Sequence, residues 1–118
     1  MKYTADWKSI DSREVPEWFK DAKFGIFIHW GLYSAPAFGG PVGEFTEWYW
    51  YFLNRKPNDD GINPYVEYHK KTYGENAQYE DLVAHFKAEN FNAEEWVSLF
   101  QKAGAKYMNL VSKHHDGF

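Results

Sequence analysis

The sequence of 118 residues predicts an α/β fold with parallel strands. Two apolar runs carry that prediction: Lys23 to Trp30, with FGIFIHW inside it, and Lys106 to Ser112, KYMNLVS. The segments between them have helical periodicity, so the strands connect through helices and run parallel. The first run also lacks polar alternation, as a strand covered on both faces does.

Taken in order, Ser12 is a candidate cap for a short helix with Pro16 in its first turn and Trp18 and Phe19 on its buried side. The strand over Lys23 to Trp30 follows and is bounded by Gly31. Residues 31–46 hold Gly31, Pro36, Gly39, Gly40, Pro41 and Gly43, interleaved with Leu32, Tyr33, Phe38 and Phe45. A long loop with that much apolar content is structured, and such loops are usually functional. Glu47 to Leu53, EWYWYFL, predicts a short helix packed by its aromatics. Asn54 to Gly61 is a polar break. Asn63 and Pro64 open a further helix, which Gly74 closes.

Tyr79, Leu82, Val83 and Phe86 fall on one helical face. Trp96, Leu99, Phe100 and Ala103 repeat that spacing and read as ordinary helix packing. Asn92 and Glu95 form a capping-box pattern before them, and Gly104 supplies the closing glycine. The second strand then spans Lys106 to Ser112. The sequence has no internal repeat and no low-complexity tract.

The length fits a single domain over residues 1–118. A two-stranded parallel sheet is not stable alone, because both strands expect neighbours. Further strands must come from elsewhere, or the chain is a piece of something larger. Cysteine is absent, which excludes disulfide scaffolds, thiol nucleophiles, iron–sulfur clusters and cysteine-based zinc sites. The net charge of −4 argues against a nucleic-acid partner, since phosphate contacts need a basic face. The stretch Met1 to Trp7 has no apolar core of signal-peptide length, and Phe24 to Ile28 is too short to cross a bilayer. A soluble, cytoplasmic protein without a membrane partner is expected. Aromatic residues make up 21% of the chain, which fits either a bulky core or walls that stack on sugar rings.

Both predicted strands end in histidine: His29-Trp30-Gly31 and Lys113-His114-His115-Asp116-Gly117. Ligand sites of parallel α/β folds lie at the carboxyl ends of strands, so His29, His114 and His115 are expected at one rim. A lone strand-end histidine is usually structural, and three at one rim favour function. One reading is a metal site that includes Asp116, but consecutive strand residues point to opposite faces, and no H-x-H or HExxH pattern is present. The other is recognition of a polyol, whose hydroxyls pair with neutral imidazoles and whose carbons pack on Trp and Tyr. The aromatic excess favours the polyol.

The segment Lys23 to Ser34, KFGIFIHWGLYS, resembles the first barrel strand of the α-L-fucosidases of glycoside hydrolase family 29. Glu47-Trp48-Tyr49 resembles that family's Glu-Trp-Tyr segment. Ala103 to Tyr107, followed by Lys113 to Phe118, is similar to the family's second strand and its end. The likeness runs from about Trp18 to Phe118 in three ordered motifs. It implies an incomplete (β/α)8 TIM-barrel-like fragment of about two parallel strands plus helices, completed by oligomerisation. It implies α-L-fucose on a glycan or glycoside as substrate, bound through His29, Glu47, Trp48, His114 and His115, and a retaining mechanism. The family's nucleophilic aspartate and acid/base glutamate belong to later strands, so no residue here inherits those roles by motif.

Three functions follow as expectations. The first is a fucosidase active as a homo-oligomer, with Glu47, Asp116 and, behind them, Glu44 as speculative replacement carboxylates. The second is a fucose-binding fragment without turnover. The third is an inactive truncated product. No metal and no cofactor are expected. Glu47 has an equal claim to a capping or pairing role in its helix, Asp116 to a structural turn, and Asp59 and Asp60 to a solvated loop.

Overall fold

The structure is a computed structural model that describes residues 3–41 and 43–118. Met1 and Lys2 of the amino-terminal stretch and Val42 of the long loop lie outside the described residues. The elements are α1 (Trp7–Asp11), α2 (Glu17–Ala22), β1 (Gly25–Ile28), α3 (Tyr49–Asn54), α4 (Pro64–Tyr73), α5 (Ala93–Lys102) and β2 (Tyr107–Leu110). Short 3-10 turns occupy Leu32–Ser34, Thr46–Trp48 and Tyr79–Ala84. The β1 and β2 strands form one two-stranded sheet. The Lys106 amide donates to the Phe24 carbonyl at 2.9 Å and the Val111 amide to Ile28 at 3.1 Å. Both strands therefore advance in the same direction, as the helical connection requires.

The strands are shorter and barer than the sequence predicts. Phe27 is 62% exposed and Leu110 50% exposed. Among the described residues no further layer covers these side chains. The continuous apolar run is thus suited to a sheet with more strands than the two present here.

The chain forms two compact units: residues 1–26 with 93–108, and residues 27–92 with 109–118. In the first, Asp6 accepts from the Ser9 amide at 2.9 Å and starts α1. Ser12 closes α1 instead of opening the next helix, its hydroxyl donating to the Ser9 carbonyl at 2.7 Å. Pro16, in extended conformation, precedes α2. Trp18 and Phe19 meet the Tyr107 ring at 6.1 and 5.3 Å but stay exposed, so they are not the buried side expected of them. Gly25 lies under Tyr107; a Cβ there would come within 2.3 Å of the ring, so only glycine fits. The predicted α5 forms, yet none of its residues is buried. Along its apolar face Trp96 and Phe100 are half-buried, their rings 6.2 Å apart, while Leu99 is 62% exposed.

The second unit holds the core: Leu32, Tyr33, Tyr49, Tyr65, Tyr79 and Leu82, with Phe38, Phe52 and Tyr68 packed against it. Much of the aromatic excess is therefore core. The α4 helix starts as predicted, with Asn63 accepting from the Tyr65 amide at 3.0 Å and Pro64 in the first turn. The Asn63 amide group also donates to the Phe52 carbonyl at 2.9 Å, which joins the end of α3 to the start of α4. Tyr79 to Ala84 is a 3-10 turn and not the α-helix its spacing predicts. At three residues per turn Tyr79 and Leu82 share one side and are buried, while Val83 turns outward. The predicted helix over Glu47 to Leu53 is likewise split into a 3-10 turn followed by α3.

Candidate functional site

All candidate site residues belong to the second unit. His29 directly follows β1, where the chain leaves the sheet, and it is exposed. His114 and His115 follow β2 in a tight turn. The His114 amide donates to the Phe118 carbonyl at 3.1 Å, and the Gly117 amide returns to the His114 carbonyl at 3.0 Å. Gly117 has φ of +90°, a conformation that favours glycine. Since the second strand has ended, the two neighbouring histidines are released from strict alternation. Their rings lie 4.3 Å apart.

The rings then form a chain. His29 meets His114 edge-on at 5.2 Å, and Tyr33 meets His114 at 5.4 Å. His115 lies 4.8 Å from the Trp48 ring and 6.4 Å from Trp50. The structure thus brings His29, His114, His115 and Trp48 together as the sequence predicts. Glu47 enters through a cleft of about 210 Å³ that it lines with His29, Tyr33, Ser34, Ala37 and Thr46.

Electrostatics suit this cluster to neutral hydroxyls. His114 is pushed below the ordinary imidazole value, first by burial and then by the charges of His115 and His29. It is uncharged at neutral pH, and its Nδ1 has no hydrogen-bond partner among the described residues. Tyr33 is held protonated by burial, with Asp116 and Glu47 reinforcing the shift. The neutral His114 imidazole, a phenol, an indole face and one carboxylate beside a small cleft can accept and donate to a polyol. Among the described residues no three His, Asp or Glu side chains converge as a metal ion would require.

The two speculative carboxylates differ in setting. Glu47 lines the cleft. Asp116 has both oxygens engaged: one accepts from the Tyr79 hydroxyl at 2.5 Å and the other from the Phe118 amide at 3.2 Å. That arrangement suits it to holding the histidine turn. Glu44 pairs with Arg55 at 2.8 Å and braces the loop ahead of Glu47. Sequence reasoning missed Tyr33 as a cleft wall and Tyr79 as the brace of Asp116. Tyr33 sits inside the quoted strand motif, which was a usable signal. Tyr79 is 37 positions from its partner, and no local pattern reports that.

The family described as Alpha-L-fucosidase matches residues 1–118. Among curated proteins, the Dictyostelium discoideum alpha-L-fucosidase is 46% identical over 118 residues, all of this chain and 25% of that protein. The Homo sapiens plasma alpha-L-fucosidase is 44% identical over 117 residues, 99% of this chain and 23% of that protein. The chain therefore spans about a quarter of the length of the curated relatives it matches. Among solved structures, the Thermotoga maritima alpha-fucosidase in complex with fucose superposes with a TM-score of 0.86 at 48% identity. That match covers 98% of this chain and 28% of the other. A further structure of the Thermotoga maritima alpha-fucosidase gives a TM-score of 0.85 at 48% identity. The α/β fragment described above corresponds to part of these larger folds.

Proposed function

The chain belongs to the α-L-fucosidase family, and from that premise we propose that it forms the fucose-gripping side of a glycosidase acting on terminal α-L-fucose of glycans or glycosides. The observation that carries this reading is the ring chain His29–His114–His115–Trp48 beside the Glu47 cleft. His29, His114 and His115 would meet the sugar hydroxyls, Trp48 its carbon face, and Glu47 a further hydroxyl. The 118 residues act as one incomplete part of a catalytic barrel domain.

Hydrolysis with retention needs two carboxyl groups about 5–5.5 Å apart, one as nucleophile and one as acid/base. Glu47 is the candidate within the cleft. Asp116 joins it only by leaving the Tyr79 hydroxyl and the Phe118 amide. We therefore propose that turnover depends on self-association, with neighbouring copies supplying missing strands and a facing carboxylate. The bare edges of β1 and β2 favour such pairing. The engaged state of Asp116 favours a second reading, in which these residues bind fucose without turnover.

Hydrolysis of an aryl α-L-fucoside, followed over a wide range of protein concentration beside His29→Ala, tests both. The enzyme reading expects specific activity to rise with concentration and to vanish in the variant. Absence of turnover at every concentration overturns it and leaves binding. Full activity in both Glu47→Gln and Asp116→Asn removes those two as the catalytic pair.

A further inference from the structure

The loop that walls the cleft is held from behind by a second set of side chains in the same unit. Ala37, Thr46 and Glu47 line the cleft, and between them the loop sends Glu44 toward α3 and α4. Glu44 Oε1 accepts from Arg55 Nη1 at 2.8 Å, and the Arg55 and Glu44 side chains are only 26% and 20% exposed. The Arg55 guanidinium lies over the Phe52 ring at 4.8 Å. The Asn63 amide group donates to the Arg55 carbonyl at 3.2 Å. Arg55 is thus fixed by the end of α3 and the start of α4. The second Glu44 oxygen and the Tyr65 hydroxyl are both sealed from water. They stand 2.7 and 2.8 Å from the point a Gly40 Cβ would occupy, an acceptor and a donor at one place. Burial, with the Glu44 carboxylate behind it, pushes Tyr65 above the ordinary phenol range, so its hydroxyl keeps the proton.

Stability alone does not explain this arrangement. A partly buried ion pair loses to desolvation much of what its attraction supplies, and apolar side chains of similar volume often serve as well. What the pair supplies here is a fixed position for the main chain. Two residues after Glu44 comes the turn Thr46–Trp48, closed by the Trp48 amide donating to the Phe45 carbonyl at 3.0 Å. That turn brings Glu47 to the cleft and Trp48 against His115. We propose that Glu44 is a positioning residue for fucose recognition, acting through Glu47, with Arg55 and Tyr65 as its anchor. The proposal rests on the fucose reading above. Glu44 itself is turned to Arg55 and does not line the cleft, so it has no part as a replacement carboxylate.

The test is a double-mutant cycle of Glu44→Ala and Glu47→Gln in the full chain, read by calorimetric titration with L-fucose. Glu44→Ala is expected to weaken fucose binding about tenfold, the worth of one misplaced hydrogen bond to a charged group. In the Glu47→Gln background the same change should weaken it less than about twofold, because the group it positions is already altered. A role in packing alone would weaken binding equally in both backgrounds. Glu44→Gln, which keeps the shape and one acceptor for Arg55, should show the same pattern with a smaller loss. It carries the test if Glu44→Ala does not fold. A second readout needs no sugar. Backbone amide order parameters of Thr46, Glu47 and Trp48 should fall from about 0.85 to below about 0.6 in Glu44→Ala. Equal weakening in both backgrounds, or unchanged order parameters, overturns the proposal. If the unmodified chain binds no fucose, the fucose reading fails by itself, and the order parameters decide whether Glu44 places Glu47.

Discussion

Two regions of the second unit use histidine in opposite ways. His69 sits in a tyrosine core, almost sealed from water, with one ring nitrogen tied to Tyr49 at 3.0 Å. His29 and His115 stand exposed at the ends of the two strand regions, touching other rings, with His114 between them. Packing fixes the first region, while the second is set by the chain turning away at the two strand ends. Both regions leave one imidazole nitrogen without a partner, Nε2 of His69 and Nδ1 of His114. A buried unpaired polar group costs about 1–3 kcal/mol, so a hydroxyl that reaches Nδ1 of His114 is stabilising.

The largest expected effect falls on the core. Leu82 is fully buried among tyrosines, and Leu82→Ala should cost about 2–5 kcal/mol of unfolding free energy. Chemical denaturation reads this directly, and a loss well under 1 kcal/mol would deny that these tyrosines form the organising core. Next comes the link between core and rim. Tyr79→Phe removes the donor to Asp116, a hydrogen bond to a charged group worth roughly 1.5–3 kcal/mol. Fucose affinity should fall in the same variant although Tyr79 does not line the cleft, and calorimetric titration would show it. Unaltered affinity would disconnect the Asp116 turn from sugar recognition.

Smaller effects belong to the rim. His29→Ala should leave stability within about 0.5 kcal/mol, as an exposed side chain does. It should still weaken fucose binding roughly tenfold, the worth of one or two hydrogen bonds. Equal losses in stability and affinity would make His29 a packing residue. The smallest effect is acid sensitivity. His69 and His114 are both held below the ordinary value of 6.5, chiefly by burial. Their protons bind more readily to the unfolded chain, so stability should be full above pH 6.5 and decline as pH falls below it. Melting temperature measured across that window checks the sign, and His69→Gln should flatten the curve.

How much of this was legible in the sequence varied with the kind of signal. The α4 helix was readable because Asn63, Pro64 and Gly74 act locally, through a cap, a fixed φ and a terminating turn. The histidine rim was readable because strand ends in parallel folds converge. The Tyr79 segment misled, since i, i+3 spacing serves a 3-10 turn as well as an α-helix. Leu99 misled for another reason: the Trp96, Leu99 and Phe100 spacing reports an apolar helix face correctly, while burial depends on what covers that face. The Tyr79–Asp116 and Tyr49–His69 contacts are long-range pairings that leave no trace in local pattern.

The central claim is that the histidine rim recognises fucose. A titration with L-fucose, following the imidazole signals of all histidines by NMR, tests it most directly. The account predicts saturable shifts at His29, His114 and His115, with the midpoint moved about tenfold higher in His29→Ala, while the Tyr49-bound Nδ1 side of His69 stays unchanged. Shifts that never saturate, or none at the rim while the core signals show a folded protein, would contradict it.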